Sequence, residues 1–289
     1  MFTRVLVGFD GTPASVSALR LAHRLAGPGA DLIVASVVPA TRRGLGVAAP
    51  ADATAHLDHA RALLGHRGHV EYVAPAASSV SRGLHRIAAE TMCDLIVVGS
   101  SRRRGAGHVL LGSNSEATLH GAPCAVAVAP DEPPARLDRL GVMFDGTPAG
   151  ERVVRGAAEL AQGHDAALTV LAVVDTRHDR AAFADAGLSG DARAGARAAL
   201  AAATADLPAV RRVHRQLHQG DPVHEALSLG RDVDLLVLGS RGQGAVLRLL
   251  LGSVSTKVVR RARCAVLVMP EGARVPVAAP GLRPEPAAA

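Results

Sequence analysis

The sequence predicts an α/β protein of two tandem domains, each a doubly wound, five-stranded parallel sheet. Three observations carry that expectation. Four blocks of sequence recur in the same order, at a spacing far too long for a solenoid repeat of ~20–50 residues, so each copy is a whole domain. Apolar runs alternate with amphipathic stretches, as strands alternate with crossover helices in α/β folds. The runs, such as Leu95-Ile96-Val97-Val98, are apolar throughout, which suits parallel strands covered on both faces.

The repeat is read directly. Val5-Leu6-Val7-Gly8-Phe9-Asp10-Gly11-Thr12-Pro13 returns as Leu140-Gly141-Val142-Met143-Phe144-Asp145-Gly146-Thr147-Pro148. Cys93-Asp94-Leu95-Ile96-Val97-Val98-Gly99-Ser100 returns as Val233-Asp234-Leu235-Leu236-Val237-Leu238-Gly239-Ser240. Leu110-Leu111-Gly112-Ser113 returns as Leu250-Leu251-Gly252-Ser253, and Pro123-Cys124-Ala125-Val126 as Arg263-Cys264-Ala265-Val266. The offset grows from 135 residues at the first block to 140 at the others, which places a small loop insertion in the second copy. The expected domains are residues 1–130 and 137–270, joined by a linker over 131–136 that holds Pro133-Pro134. Residues 271–289, rich in proline and alanine with little to bury, read as a disordered tail.

In the first copy the expected strands lie near Arg4–Phe9, Asp31–Val37, His69–Val73, Leu95–Val98 and Ala125–Ala129. Between them, Ser15, Leu19, Ala22 and Leu25 share one helical face, and Ser78–Thr91 and Ser113–His120 read as further helices. In the second copy Thr176–Ala205 is longer and less regular, with an alanine-rich helix expected over Asp191–Asp206. Open α/β sheets bind ligands beyond the carboxyl ends of their strands, at the point where strand order reverses. Asp10, Gly99, Asp145 and Gly239 all fall at such ends, so an aspartate loop and a glycine loop can face one crevice in each copy.

Composition limits the function classes. A length of 289 residues suits about two domains. Only 2% of residues are aromatic, so the cores must be built from Leu, Val and Ala, and no base-stacking platform is available. The net charge of +6 rests on scattered arginines; Lys257 is the one lysine. No zinc-finger or aromatic RNA-binding pattern accompanies them, so the charge reads as a solvated surface and not a nucleic-acid site. No signal-peptide pattern or bilayer-length apolar run occurs, so no membrane partner is expected. Cys93, Cys124 and Cys264 form no metal or disulfide spacing and read as buried thiols of a cytoplasmic protein. His214 and His218, four apart, fall in an expected strand and read as exposed histidines, not metal ligands.

The chemical signal is the spacing G-x2-G-x9-G-S, made by Gly239, Gly242, Gly252 and Ser253. Glycines let a backbone approach a ligand closely, and a helix start offers unpaired N–H groups and partial positive charge. Together they make an anion site, with phosphate the usual guest. The alternative is a turn whose glycines serve geometry alone. No G-x-x-x-x-G-K-[ST] loop occurs, and no G-x-G-x-x-G follows the first strand, so P-loop and NAD sites are not indicated.

These residues carry a family resemblance. V-G-F-D-G-T at Val7–Thr12, V-M-F-D-G-T at Val142–Thr147, the Gly239–Ser255 loop, and the terminal A-P-C-A-V-A-V and A-R-C-A-V-L-V strands resemble a tandem universal stress protein of the UspA type. The resemblance implies Rossmann-like domains akin to adenine nucleotide alpha hydrolases. It implies a regulatory or signalling module in the stress response that binds ATP, with Mg, and does no catalysis. In the second domain it implies that Asp145 lies near ribose and adenine. Val174, just past the second strand, would offer backbone contacts to adenine. Gly239 and Gly242 would cradle ribose and phosphates, and Gly252, Ser253, Val254 and Ser255 would offer N–H and hydroxyl groups to phosphates. The first-domain counterparts are Asp10, Val38, Gly99, Arg102, Gly112, Ser113, Asn114 and Ser115. Two of them depart from the pattern: Arg102 replaces a glycine and Asn114 a valine. The resemblance also implies that the two domains pair through their last strands, and it is compatible with a homodimer. A slow ATP-hydrolysing enzyme and a nucleotide-free oligomerisation scaffold are the alternatives.

The departure at Arg102 generates an expected outcome. A bulky side chain there opposes close backbone approach, so the second domain should bind nucleotide more tightly than the first. In calorimetric titrations Gly242→Arg should abolish the tighter site, and Arg102→Gly should strengthen the weaker one. Unchanged binding in Gly242→Arg would show that this loop is not the site.

Overall fold

Helix starts and strand runs follow the sequence closely. The computed structural model describes residues 1–39, 50–65, 69–100, 112–175, 188–240 and 251–270. In the first domain β1 (Phe2–Gly8), α1 (Pro13–Leu25), β2 (Ala26–Ala35), β3 (Val38–Pro39), α2 (Pro50–Leu64) and β4 (Val70–Val73) come first. β5 (Ala76–Ala77), α3 (Val80–Glu90), β6 (Leu95–Gly99), α4 (Ser113–Leu119) and β7 (Ala125–Ala129) complete it. The second domain runs β8 (Arg139–Phe144), α5 (Pro148–Gly163), β9 (Ala167–Asp175), α6 (Leu188–Ala203), β10 (Arg212–Gly220), α7 (Pro222–Asp232), β11 (Leu235–Gly239), α8 (Ser253–Arg261) and β12 (Ala265–Met269). Arg102, Gly242 and the tail 271–289 lie outside the described residues.

The strands form one 10-stranded sheet in the order β10-β9-β8-β11-β12-β7-β6-β1-β2-β4. Each half is a five-stranded parallel sheet whose strand order reverses beside its first strand, between β1 and β6 and between β8 and β11. This is the doubly wound α/β fold, twice. Successive residues of a strand point to opposite faces, and both faces are apolar. Leu95, Val97, Ala125 and Ala127 join one core with Leu21 and Leu25 of α1 and Val154 and Leu160 of α5. Ile96, Val98, Val126 and Val128 join the other with Leu84 of α3, Leu119 of α4, Ala226 of α7 and Val258 of α8.

Aspartates at matching places clamp the strand starts. The Asp94 carboxylate accepts from Thr3 N at 2.8 Å and Arg4 N at 3.1 Å. Asp234 accepts from Asp138 N at 2.9 Å and Arg139 N at 2.8 Å. The repeated aspartate before each fourth strand is therefore structural.

Three local features differ from expectation. β2 begins at Ala26 instead of Asp31, because Phe2 pairs with Ala26 before a register shift returns the ladder to Arg4 and Asp31. A separate two-stranded parallel sheet, β3 with β5, pairs Val38 with Ala76. β9 runs on to Asp175, paired with Gly220, so Val174 lies inside the ladder opposite Gln219 and not past the strand. The reason is that β10 keeps its partner in register to the end, whereas in the first domain the corresponding pairing restarts as the small sheet.

The two halves meet at β7 and β12, which pair antiparallel with Ala127 opposite Leu267, Val126 opposite Val268 and Val128 opposite Val266. This is the pairing of last strands expected above. Ala127 and Leu267 are both fully buried. Across the seam, Arg260 of α8 donates to Glu116 Oε1 of α4. Truncating Leu267 to Ala should lower stability by about 2–5 kcal/mol. Chemical denaturation monitored by circular dichroism checks this; a loss within the ~0.5 kcal/mol typical of surface positions would show that the seam contributes no core.

Candidate functional site

The Asp-Gly-Thr-Pro block builds the same turn in both domains. Asp10 Oδ1 accepts from Thr12 N at 3.2 Å and Thr12 Oγ1 at 2.6 Å. Asp145 Oδ1 accepts from Thr147 N at 3.1 Å and Thr147 Oγ1 at 2.7 Å. The glycine between them has φ of 74° at Gly11 and 79° at Gly146, a conformation costly for any residue with a Cβ. Each threonine then caps the next helix: Thr12 Oγ1 accepts from Ser15 N at 3.3 Å and Thr147 Oγ1 from Gly150 N at 3.0 Å. A proline follows in the first turn, where its missing N–H costs nothing. Each aspartate stays exposed at a strand end, with Oδ2 unengaged by any hydrogen bond among the described residues.

Gly99 and Gly239 end the fourth strands. A Cβ on Gly99 would lie 2.2 Å from Ala14 O, so α1 rests directly on this residue. A Cβ on Gly239 would meet Val153 Cγ2 at 3.3 Å. Helix packing therefore accounts for these glycines, beside whatever they offer a ligand. Their carbonyls hold the next helix: Ser115 Oγ donates to Gly99 O at 2.7 Å and Ser255 Oγ to Gly239 O at 3.1 Å. Toward a ligand, these hydroxyls are left to act only as acceptors.

The helix starts divide into two kinds. α1, α3, α5 and α7 are capped by side chains of Thr12, Ser79, Thr147 and Asp221. α4 and α8 begin at Gly112 and Gly252 with no side-chain cap. Their first N–H groups have no capping side chain among the described residues, and Ser113 and Ser253 beside them are exposed. Val254 is half-buried.

In the first domain Asp10, Val38, Gly99, Asn114 and Ser115 line one cleft at the strand-order reversal. Gly112 and Ser113 adjoin it at the start of α4. Val37, Val80, Leu84 and Val98 form its apolar wall. Val38 N is committed to Pro75 O at 3.0 Å, so its N–H is not free for a ligand. Sequence reasoning missed Ser36 and His56, which also line the cleft. Ser36 follows β2 within an apolar run, and His56 lies on α2, distant in sequence from every motif.

The thiols are chemically quiet. Burial pushes the Cys93 and Cys124 thiols up, and that of Cys264 up to about 11, so none is a thiolate near neutrality. Both His214 and His218 are exposed on β10, and His218 Nδ1 lies 2.7 Å from Glu225 Oε2. Among the described residues no group of three or more His, Cys, Asp or Glu is placed to hold a metal ion. No helix among them is long and apolar enough to cross a membrane.

Compared with known proteins, residues 1–130 and 137–270 each match the Universal stress protein family. The chain belongs to the universal stress protein family. It is 33% identical over 198 residues to a universal stress protein of Mycolicibacterium smegmatis, spanning 66% of each chain. It is 30% identical over 214 residues to one of Mycobacterium tuberculosis, spanning 70% of this chain and 72% of the relative. A universal stress protein from Archaeoglobus fulgidus superposes with a TM-score of 0.63 at 22% identity, over 92% of this chain and 96% of that one. That likeness shows the shared fold.

The two strand-end glycines of this universal stress protein should respond differently to a methyl group. Gly99→Ala forces α1 off the sheet and should cost about 1–3 kcal/mol, as overpacking does. Among the described residues Gly239→Ala meets only a side-chain methyl that can shift, and it should cost less. Equal losses in thermal unfolding would show that α1 does not rest on Gly99.

Proposed function

We propose that this universal stress protein is a regulatory module that binds ATP, with Mg, at the strand-order reversal of its domains and does not turn it over. The single observation that carries the proposal is the contrast in helix caps. A side-chain cap contributes about 1 kcal/mol, yet α4 and α8 lack one at matching places while four other helices have it. An open helix start flanking a crevice is what an anionic group requires. The unengaged Oδ2 of Asp10 and Asp145 would accept from ribose or adenine. The apolar wall of Val37, Val80, Leu84 and Val98 would take the base in the first domain. Backbone N–H groups at Ser253, Val254 and Ser255 would meet phosphates in the second. A few charge-assisted bonds of ~1.5–3 kcal/mol each support a micromolar site, about −8 kcal/mol, after ordering costs. Mg would arrive on the triphosphate, its ligands phosphate oxygens and water.

The test is thermal unfolding with ATP, ATP plus Mg, and NAD. A ligand at about a hundredfold over its dissociation constant adds ~2.7 kcal/mol, a shift of several degrees. ATP should give it and NAD should not; equal responses would argue against an adenine-triphosphate site. Nucleotide released on denaturing the purified protein adds a second readout. ATP supports binding without turnover, ADP alone supports hydrolysis, and no nucleotide together with no shift supports a scaffold.

A further inference from the structure

The first-domain cleft holds two polar side chains to which the nucleotide proposal assigns no role. Ser36, just past β2, is 4% exposed, and its hydroxyl lies 3.1 Å from His56 Nδ1 on α2. This contact ties the helix to the sheet end and uses one ring nitrogen. It leaves Nε2 to face elsewhere. The Cδ2–Nε2 edge of the ring lies over Gly11: a Cβ there would sit 2.8 Å from Cδ2 and 3.4 Å from Nε2. Gly11 adjoins Asp10, whose Oδ1 is held by Thr12. A carboxylate oxygen and an imidazole nitrogen therefore flank a residue with no side chain, each fixed through its companion atom.

We infer that His56 is a specificity-determining residue that, together with Asp10, takes the vicinal diol of a ribose, and that Ser36 is the residue positioning it. The inference rests on the nucleotide proposal and adds which part of the ligand the first domain reads. The chemistry fits a diol better than a base edge. A carboxylate oxygen only accepts, so it suits one hydroxyl proton. The imidazole nitrogen donates or accepts according to tautomer, and a neighbouring hydroxyl matches either form. A ligand lacking one hydroxyl leaves a held polar atom unpaired, which is the costly case in recognition.

The second domain is built differently at this place. Leu32 pairs with Val5 and Leu168 with Leu140, so four residues further on Ser36 corresponds to Ala172. No hydroxyl stands there to hold a ring. A Cβ on Gly146 meets nothing within 4 Å among the described residues. The two sites should therefore differ in sugar selectivity even where they share a nucleotide.

Calorimetric titration of the full chain with ATP and with 2′-deoxyATP tests this, using wild type, His56→Ala and Ser36→Ala. In the wild type one of two sites should prefer ATP by about tenfold or more, the size of one well-placed polar contact. His56→Ala should remove that preference, and Ser36→Ala should reduce it. The Ser36→Ala chain should fold, since alanine already occupies the equivalent place as Ala172. The ratio of the two affinities is the readout, because a general loosening of the cleft would weaken both nucleotides together. If wild type binds neither nucleotide, the nucleotide proposal falls and this inference with it. If wild type binds ATP but shows no preference, or keeps it unchanged in His56→Ala, this inference alone is overturned. Loss of preference in His56→Ala with none in Ser36→Ala would keep the diol role and overturn the positioning role.

Discussion

The antiparallel seam between β7 and β12 is the constraint on which the rest depends. Each five-stranded sheet ends in a strand apolar on both faces, and an exposed edge of that kind pairs with whatever strand it meets. Joining the two edges within one chain removes both at once. It also makes both cores continuous, since residues of β7 and β12 belong to the same two clusters. The antiparallel sense then sets which way each set of strands runs. Strand carboxyl ends point one way in the first domain and the opposite way in the second, so the first-domain cleft and the strand-order reversal of the second domain lie at opposite ends of the sheet. Between them, Glu116 in the first turn of α4 and Arg260 in the last turn of α8 meet across the seam. The two helices that follow the glycine motifs are thereby in direct contact.

At each strand-order reversal, the helix that follows the glycine motif starts without a side-chain cap. Four helix starts among the described residues are closed by a threonine, serine or aspartate, which is the stable solution. The helices after the glycine motif forgo it. Glycine at the cap position offers no side-chain acceptor, and the nearby serine hydroxyls of Ser115 and Ser255 point back to the preceding strand end. That bond fixes the helix start against the sheet without occupying its N–H groups. Local stability is lower there by the absent cap.

The duplicated domains have diverged around a fixed frame. The Asp-Gly-Thr turn, the clamp aspartates Asp94 and Asp234, and the serine-to-carbonyl bonds are the same in both. They are all interactions that set backbone geometry. The differences lie where side chains line the cleft. Ser36 faces His56 in one domain, and Ala172 stands in the equivalent place in the other. Gly99 carries the full approach of α1, and Gly239 meets only a valine methyl. In the first domain the second strand pair breaks into a small separate sheet, while in the second it continues unbroken. Such differences leave the five-stranded parallel sheet of each domain in place.

The sequence by itself determined the architecture. Its repeats, its fully apolar strands and its amphipathic stretches are local signals, each written in a few contiguous residues, and they sufficed for two doubly wound domains and for Asp10, Asp145, Gly99 and Gly239 at strand ends. The tertiary structure decided the contacts that the expected site residues make. Only in three dimensions does Gly99 prove to lie beneath the Ala14 carbonyl, or the Ser115 hydroxyl to be spent on Gly99. Val174 reads as a loop residue until its ladder partner Gln219 is seen. His56 could not be found from motifs, because α2 carries no repeat partner or spacing that marks it. Its meeting with Ser36 depends on how α2 packs across the sheet end, a long-range contact that no local pattern encodes.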